Sequence, residues 1–196
     1  MAYPATIEVQ TPPKIANWRP LVQWLLAIPH QVVGFVLLIV AEVCVLIGWF
    51  AILFTGKLPE GLSKRIITAI RYQARANAYA SFLHDKFPPF EYSSTPADPG
   101  NTPVRVNLQP SLDGRNRLTS AFRFLLAIPA MLFSLVIGLV AAICQFLAFF
   151  AVLFTGKWPE GLRTWVLKSL NVGVRLNAYT MLLTDVYPPF SAEQSV

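Results

Sequence analysis

The stretch AILFTGKLPEGL occupies residues 51–62, and AVLFTGKWPEGL occupies residues 151–162, one hundred positions later. The same offset aligns residues 25–90 with residues 125–190 without a gap. A gapless register of this length indicates a tandem duplication. The chain is therefore expected to contain one structural unit twice, and each half can be compared with the other position by position.

A long apolar run precedes each copy of this motif. Residues 21–54 contain Glu42 as their single charged residue, and residues 124–154 contain none. Both runs exceed the roughly 20 residues that cross ~30 Å of hydrocarbon. Hydrophobic residues make up 55% of the chain and charged residues 13%, which is too little charge for an ordinary soluble surface. We therefore predict an all-α integral membrane protein with one long transmembrane segment in each repeat.

The segments that flank each apolar run have their own patterns. Residues 18–28 and 117–128 are typical of short interfacial helices, and each is followed by a proline, Pro29 or Pro129, that would break or kink the path. After the run, Gly and Pro favour a turn, and a Pro-Glu pair suits the start of the next helix. The residues of these two joints are Thr55, Gly56, Lys57, Pro59 and Glu60, and Thr155, Gly156, Lys157, Pro159 and Glu160.

An amphipathic basic helix is predicted after each joint, over residues 59–83 and 159–183. A basic and polar stripe follows helical spacing on one face of each helix. The cations expected to contact lipid headgroups are Lys64, Arg71, Arg75, Lys168 and Arg175. Alternatively, each of these helices crosses the membrane as a second span packed against the first, with its arginines buried in a helical bundle or snorkelling to the interface.

The remaining segments divide the chain around the two repeats. We expect an extended N-terminal segment at 1–17, membrane repeats at 18–90 and 117–190, a linker at 91–116 and a tail at 191–196. Residues 4–10 and 103–109 alternate apolar and polar side chains, as strands with one covered face do. A short β pairing between them outside the membrane is one arrangement that this pattern allows.

The order of motifs in both halves carries a family resemblance. LLAIP, an apolar run, LFTGxxPEGL, Arg-x-Asn-Ala-Tyr and Asp-x-x-Pro-Pro-Phe follow one another in each copy. This order resembles the DUF4389 (domain of unknown function) family of bacterial membrane proteins, which often carries the domain in tandem in actinobacteria. The resemblance covers nearly the whole chain. It implies a bacterial cytoplasmic membrane and supplies no activity.

The near identity of the two joints favours a common environment for both. That requires an even number of crossings per repeat, through a bent apolar hairpin or through a span and a spanning third helix. The basic residues that follow each run would then lie in the cytoplasm by the positive-inside rule. We expect a multi-pass or hairpin-inserted protein of the bacterial cytoplasmic (inner) membrane.

Glu42 is the one acid inside an apolar run, and Ala142 stands at the equivalent position. An ionisable group at membrane depth is a functional candidate by default. It would contact a basic residue of a partner, belong to a proton or ion relay, or be a protonated carboxyl that hydrogen-bonds to Gln145 or to backbone. The relay is disfavoured because the runs contain no second acid.

Three functions of different classes remain. The favoured one is a non-catalytic accessory or scaffold subunit of a larger membrane complex, and the alternative is a small transporter or channel component formed by oligomerisation. A membrane-embedded lipid enzyme ranks third, since we expect no catalytic residue, metal or cofactor, and His30 and His84 are expected to be interfacial or solvated. The expected partners are the phospholipid membrane and other membrane subunits or further copies of the chain. The net charge of +6 suits anionic headgroups rather than nucleic acid.

Overall fold

A computed structural model describes residues 3–191, so residues 192–196 of the expected tail and the first two residues of the N-terminal segment lie outside it. The described chain is mostly helical. Its elements in chain order are β1 (Ala5–Val9), α1 (Arg19–Leu26), α2 (Ile28–Thr55), α3 (Glu60–Ala80), β2 (Val104–Leu108), α4 (Arg117–Ala121), α5 (Arg123–Thr155) and α6 (Glu160–Thr180).

The two joints form tight helix–turn–helix connections. Gly56 and Gly156 end α2 and α5 with φ of 71° and 67°, in the left-handed region that glycine adopts without steric conflict. Thr55 Oγ1 donates to the carbonyl of Ala51 and accepts from the backbone N–H of Lys57, and the second repeat makes the same two bonds. The shared sequence therefore encodes a shared local geometry.

Each repeat folds into an antiparallel helical hairpin. At one end of the first hairpin, the Nδ1 atom of His30 lies 2.8 Å from the hydroxyl of Tyr72. At the other end, the Cα of Gly48 faces the side chain of Leu58, just before α3 begins. Pro129 was expected to interrupt the second hairpin, but α5 continues through it, and the break lies at Phe122 instead.

The two hairpins are interlocked rather than merely adjacent. The short helix α1 packs against α5 of the other repeat, and α4 packs against α2. We call α3 and α6 the inner helices of the two hairpins. Trp158, just before α6, donates from Nε1 to the carbonyl of Phe82, just after α3. At the opposite end, Leu58 donates its backbone N–H to the carbonyl of Leu112. Leu58 and Leu182 both lie against Gly48, so the start of α3 is also near the end of α6. Helices α3 and α6 therefore run antiparallel, and the exchange of equivalent contacts implies an approximate twofold axis perpendicular to them.

A two-stranded antiparallel sheet covers α3 and α6. Strands β1 and β2 pair from Ala5 with Leu108 to Val9 with Val104, so the pairing that the alternating pattern allowed is present. Strand β2 packs on α3 and β1 packs on α6. Ile7 and Val106 face the helices and are buried, as the strand period requires.

Helices α2 and α5 carry most of the apolar surface. Both are long and apolar enough to cross a membrane, with 28 and 33 residues. Only 22% of the most apolar window of α2 and 28% of that of α5 is buried, whereas a core helix of a soluble protein would be mostly buried. Large exposed side chains on them include Val32, Phe35, Val36, Ile39, Val43, Leu46, Phe50 and Phe54, and Leu132, Leu135, Val136, Leu139, Ile143, Phe146, Phe150 and Phe154.

Candidate functional site

A buried cationic side chain at the middle of α3 organises the linker that follows the first repeat. Arg71 is 1% exposed. Its guanidinium donates to the carbonyl of Val106 at 2.9 Å, of Thr95 at 2.7 Å and of Ser93 at 3.0 Å. Its Nε also lies 3.4 Å from the carboxylate of Asp98. Burial lowers the pKa of Arg71, while the Asp98 charge acts in the opposite direction.

Arg75 lies one turn further along the same face and completes this cluster. Its Nη2 donates to both carboxylate oxygens of Asp98 at 3.0 Å, and its Nη1 donates to Glu91 at 3.0 Å. The Asp98 side chain, 1% exposed, also accepts from the backbone N–H of Val106. We call Arg71, Arg75, Glu91 and Asp98 the Asp98 cluster. It ties the linker and β2 to α3.

The predicted headgroup contacts of three arginines are wrong. Arg71, Arg75 and Arg175 are all nearly fully buried, and a headgroup contact needs an exposed guanidinium. Arg175 donates to the carbonyl of Ser191 and lies 5.7 Å from the ring centroid of Tyr3. Helix α3 is thus enclosed by α2, α6 and the sheet. This arrangement is closer to the alternative, in which the arginines are buried in a bundle, than to a helix that lies at headgroup level.

The two lysines of the predicted headgroup set remain accessible. Lys64 pairs with Glu60 one turn earlier, at 2.7 Å, and both side chains are mostly exposed. Lys168 is half-buried, and its ammonium lies 4.8 Å from the ring centroid of Trp165. Headgroup contact by Lys64 and Lys168 stays a prediction.

A second charged cluster lies just after the end of α6. Asp185 accepts from Arg115 at 2.7 Å, from Arg123 and from the backbone N–H of Asn116. Burial raises the pKa of Asp185, but the hydrogen bonds from Arg115 and Asn116 outweigh it and hold the pKa at about 2. We call Arg115, Arg123 and Asp185 the Asp185 cluster.

In the first repeat, an uncharged side chain makes the hydrogen bonds that Arg123 makes in the second. Gln23 stands where the second repeat has Arg123, and it donates to the carbonyls of Tyr79 and His84 at 2.7 Å. Arg123 donates to the equivalent carbonyls, those of Tyr179 and Thr184. Comparison of the two halves at these positions is the signal that would have pointed to a structural role.

Glu42 lies in a groove between the repeats. The groove has a volume of about 480 Å³ and is formed by α2, the α4–α5 connection and the end of α6, with Trp49, Arg123 and Thr180 in its lining. Glu42 is exposed there. Within residues 3–191, the Glu42 carboxylate makes no hydrogen bond or ion pair.

The equivalent groove of the other repeat contains Gln145. It has a volume of about 540 Å³ and is lined by Trp24, Phe82, Ala142 and Phe149, so that Ala142 replaces Glu42. Glu42 and Gln145 therefore occupy separate, symmetry-related grooves, and the predicted hydrogen bond between them is absent from the described part of the chain. Besides the carboxylate, the first groove has Arg123 and Thr180 in its lining, whereas the second has Gln145 and Ala80.

The two histidines are internal, so the expectation of interfacial or solvated side chains is wrong. His30 is buried and stacks on Phe90 with ring centroids 4.3 Å apart. His84 is also buried, and burial lowers its pKa to about 4. Across residues 3–191, no group of three or more His, Cys, Asp or Glu side chains is arranged to hold a metal ion.

The joints are held by the segments that precede α1 and α4. Arg115 donates its backbone N–H to the carbonyl of Gly56, and Ile15 does the same to Gly156. Lys57, whose side chain is 68% exposed, pairs with Asp113 at 3.0 Å. The joints thus serve as anchoring points between the repeats.

Comparison with known proteins agrees with this twofold organisation. A family model described as a domain of unknown function (DUF4389) matches residues 17–91 and 117–192. No curated protein and no solved structure matches the chain. Each matched segment contains one short helix, one long apolar helix, one joint and one inner helix. Because the two segments together cover well over half of the chain, the protein belongs to the DUF4389 family and carries its domain twice.

Proposed function

We propose that this protein is a non-catalytic membrane protein of the bacterial cytoplasmic membrane that serves as an accessory or scaffold subunit of a larger membrane complex. The observation that carries the proposal is the apolar surface of α2 and α5. Phe54 and Phe154, for example, are each 76% exposed. Monomeric soluble proteins rarely expose contiguous apolar patches larger than a few hundred Å². A lipid environment removes this surface from water.

The arrangement of charge supports a structural rather than a catalytic role. In the Asp98 cluster and the Asp185 cluster, the arginines bond to backbone carbonyls and carboxylates of the same chain. These contacts join the linker and the segment after α6 to the rest of the fold. The charged groups are thereby engaged in holding the fold, which leaves little polar chemistry for turnover of a substrate.

The groove at Glu42 supports a contact with a second subunit. An exposed carboxylate beside the apolar side chains of Leu46 and Trp49 offers both charge and apolar area. A basic side chain from a neighbouring membrane helix would find a counter-ion there. We propose that the partner subunit docks a cationic residue against Glu42.

Purification in mild detergent followed by mass spectrometry tests this proposal. We expect one partner in stoichiometric amount, retained by the wild-type chain and lost from Glu42→Gln, which removes the charge at nearly constant shape. The matched control is Ala142→Gln, which places the same amide in the equivalent groove and should keep the partner. A homogeneous oligomer of this chain alone that conducts ions after reconstitution would overturn the proposal, as would turnover of a lipid substrate.

A further inference from the structure

The polar sheet lies against the middle of the inner helices, not beyond their ends. The carbonyl of Val106 in β2 accepts from Arg71, which is at the centre of α3. On the other strand's side, the hydroxyl of Tyr3, just before β1, donates to the carbonyl of Arg175 within α6. The sheet thus sits beside the helical hairpins at mid-length.

The outer face of this sheet requires water. Glu8 and Arg105 stand opposite each other on it, and both are exposed. Among the described residues no strand pairs with the outer edge of β1, and such open edges do not occur in the hydrocarbon region of a bilayer. An isolated charged side chain at that depth would be unfavourable as well. The sheet therefore cannot lie at the centre of a membrane.

This placement conflicts with an upright α2 or α5. Helices α2 and α3 run antiparallel with their ends matched, from His30 beside Tyr72 to Gly48 beside Leu58. If α2 stood along the membrane normal, α3 would stand there too. The sheet at the middle of α3 would then be immersed in lipid. The same holds for α5 and α6.

The short helices and the joints carry side chains suited to the headgroup region, which a helix lying in the plane of the membrane needs at its ends. Trp18, just before α1, and Trp24, within it, are 50% and 59% exposed, and tryptophan favours headgroup depth. The exposed Lys57 lies at one joint, and Lys157 occupies the equivalent place at the other. These cations suit an anionic lipid surface.

We infer that the protein is embedded in one leaflet of an anionic bilayer, with α2 and α5 parallel to the membrane plane. The approximate twofold axis then coincides with the membrane normal, and the sheet faces the aqueous phase. Both joints lie at the same depth on the same side, which gives their shared sequence a shared environment. The inference rests on the membrane location in the proposed function and replaces the expected crossings with one-sided embedding.

A depth measurement along the two helices tests this arrangement. Single cysteines would replace Val36, Val43 and Phe50, which are seven residues apart on one exposed face of α2, and each would carry an environment-sensitive fluorophore. The matched series on α5 is Val136, Ile143 and Phe150. Quenching by lipids with nitroxides at known depths is measured in vesicles of equal parts phosphatidylcholine and phosphatidylglycerol. Wild-type protein, whose Cys44 and Cys144 are buried, corrects for background labelling.

We expect the three positions of each series to have the same depth, and the two series to agree. A helix along the membrane normal would instead separate Val36 from Phe50 by about 21 Å at 1.5 Å per residue. A steady slope of that size would overturn the inference. Labelling from one side of the membrane gives a second readout: cysteines at Glu8, Lys57 and Lys157 should all react with an impermeant maleimide from the same side. Opposite accessibility at Lys57 and Lys157 would also overturn it.

Flotation separates this inference from the function on which it rests. Protein mixed with the same vesicles should float with the lipid in a density gradient. A monodisperse protein that stays in the aqueous fraction without detergent, either as a monomer or as a dimer that covers the α2 and α5 surface, would overturn both. Flotation with sloping depths overturns the one-sided seating alone and leaves the membrane location intact.

Discussion

Replacement of Asp98 by Asn is the sharpest test of how the linker is held. The Asp98 carboxylate, almost completely buried, accepts from Arg75 through both oxygens at 3.0 Å, from the N–H of Val106 at 2.9 Å and from the N–H of Gly100 at 2.8 Å. An amide keeps one acceptor and turns the other into a donor. That donor would face the guanidinium or a backbone N–H, and the buried cations of Arg71 and Arg75 would lose their main counter-ion.

The expected loss of stability follows from that geometry. Removal of one partner from a buried ion pair typically destabilises by about 3–5 kcal/mol, because the remaining charge is left uncompensated. At roughly 2–4 °C per kcal/mol for a chain of this size, the melting temperature of Asp98→Asn should fall on the order of 10 °C. Thermal unfolding followed by intrinsic fluorescence in mild detergent measures it.

The matched control is Glu60→Gln, which removes an exposed partner of Lys64 from an ion pair on the same helix. Solvent screens such an exposed pair, so the control should melt close to the wild type. If Asp98→Asn melted together with Glu60→Gln, the Asp98 cluster would not stabilise the fold, and the assignment of Arg71 and Arg75 as structural residues would fail.

Two further changes probe the second cluster and a joint. The pKa of Asp185 is held at about 2, against an ordinary value of 3.8. Its bonds therefore stabilise the fold above about pH 4, and this stabilisation is lost as the pH falls towards 2. The melting temperature of the wild type should fall over that pH range, and that of Asp185→Asn should fall less. Gly156→Ala should destabilise by about 1–2 kcal/mol, because φ is +67° and the new Cβ would lie 2.8 Å from the carbonyl oxygen of Ile15. Gly161→Ala, in open space within a helix, is the control, and an equal loss of denaturant stability in both would refute the strain argument.

Local patterns in the sequence predicted the local elements well. The repeat offset, the apolar runs and the Gly-Lys joint lead to the long helices and their turns, and the alternation at 4–10 and 103–109 leads to the two strands. Apart from the repeat offset, each of these signals depends on neighbours within a few residues. Pro129 is the exception, because a proline within a packed helix need not end it.

The site required information that local periodicity does not contain. Helical spacing correctly grouped Arg71 and Arg75 on one face of a helix, but it does not tell what covers that face. The cover is the linker around Asp98, more than twenty positions later in the chain. The separation of Glu42 from Gln145 likewise depends on how the two hairpins pack, since each side chain lies in the groove of a different repeat.

The crossing of α1 onto α5 and of α4 onto α2 has a consequence for proteins that carry the domain once. In such a chain, the long helix would lack the short helix that covers it here, and the short helix would lack its docking surface. Two copies could satisfy both needs if the short helix of each packed against the long helix of the other. Single-domain relatives should therefore be obligate homodimers, built like the two halves of this chain, and the linker between the halves here takes the place of that association.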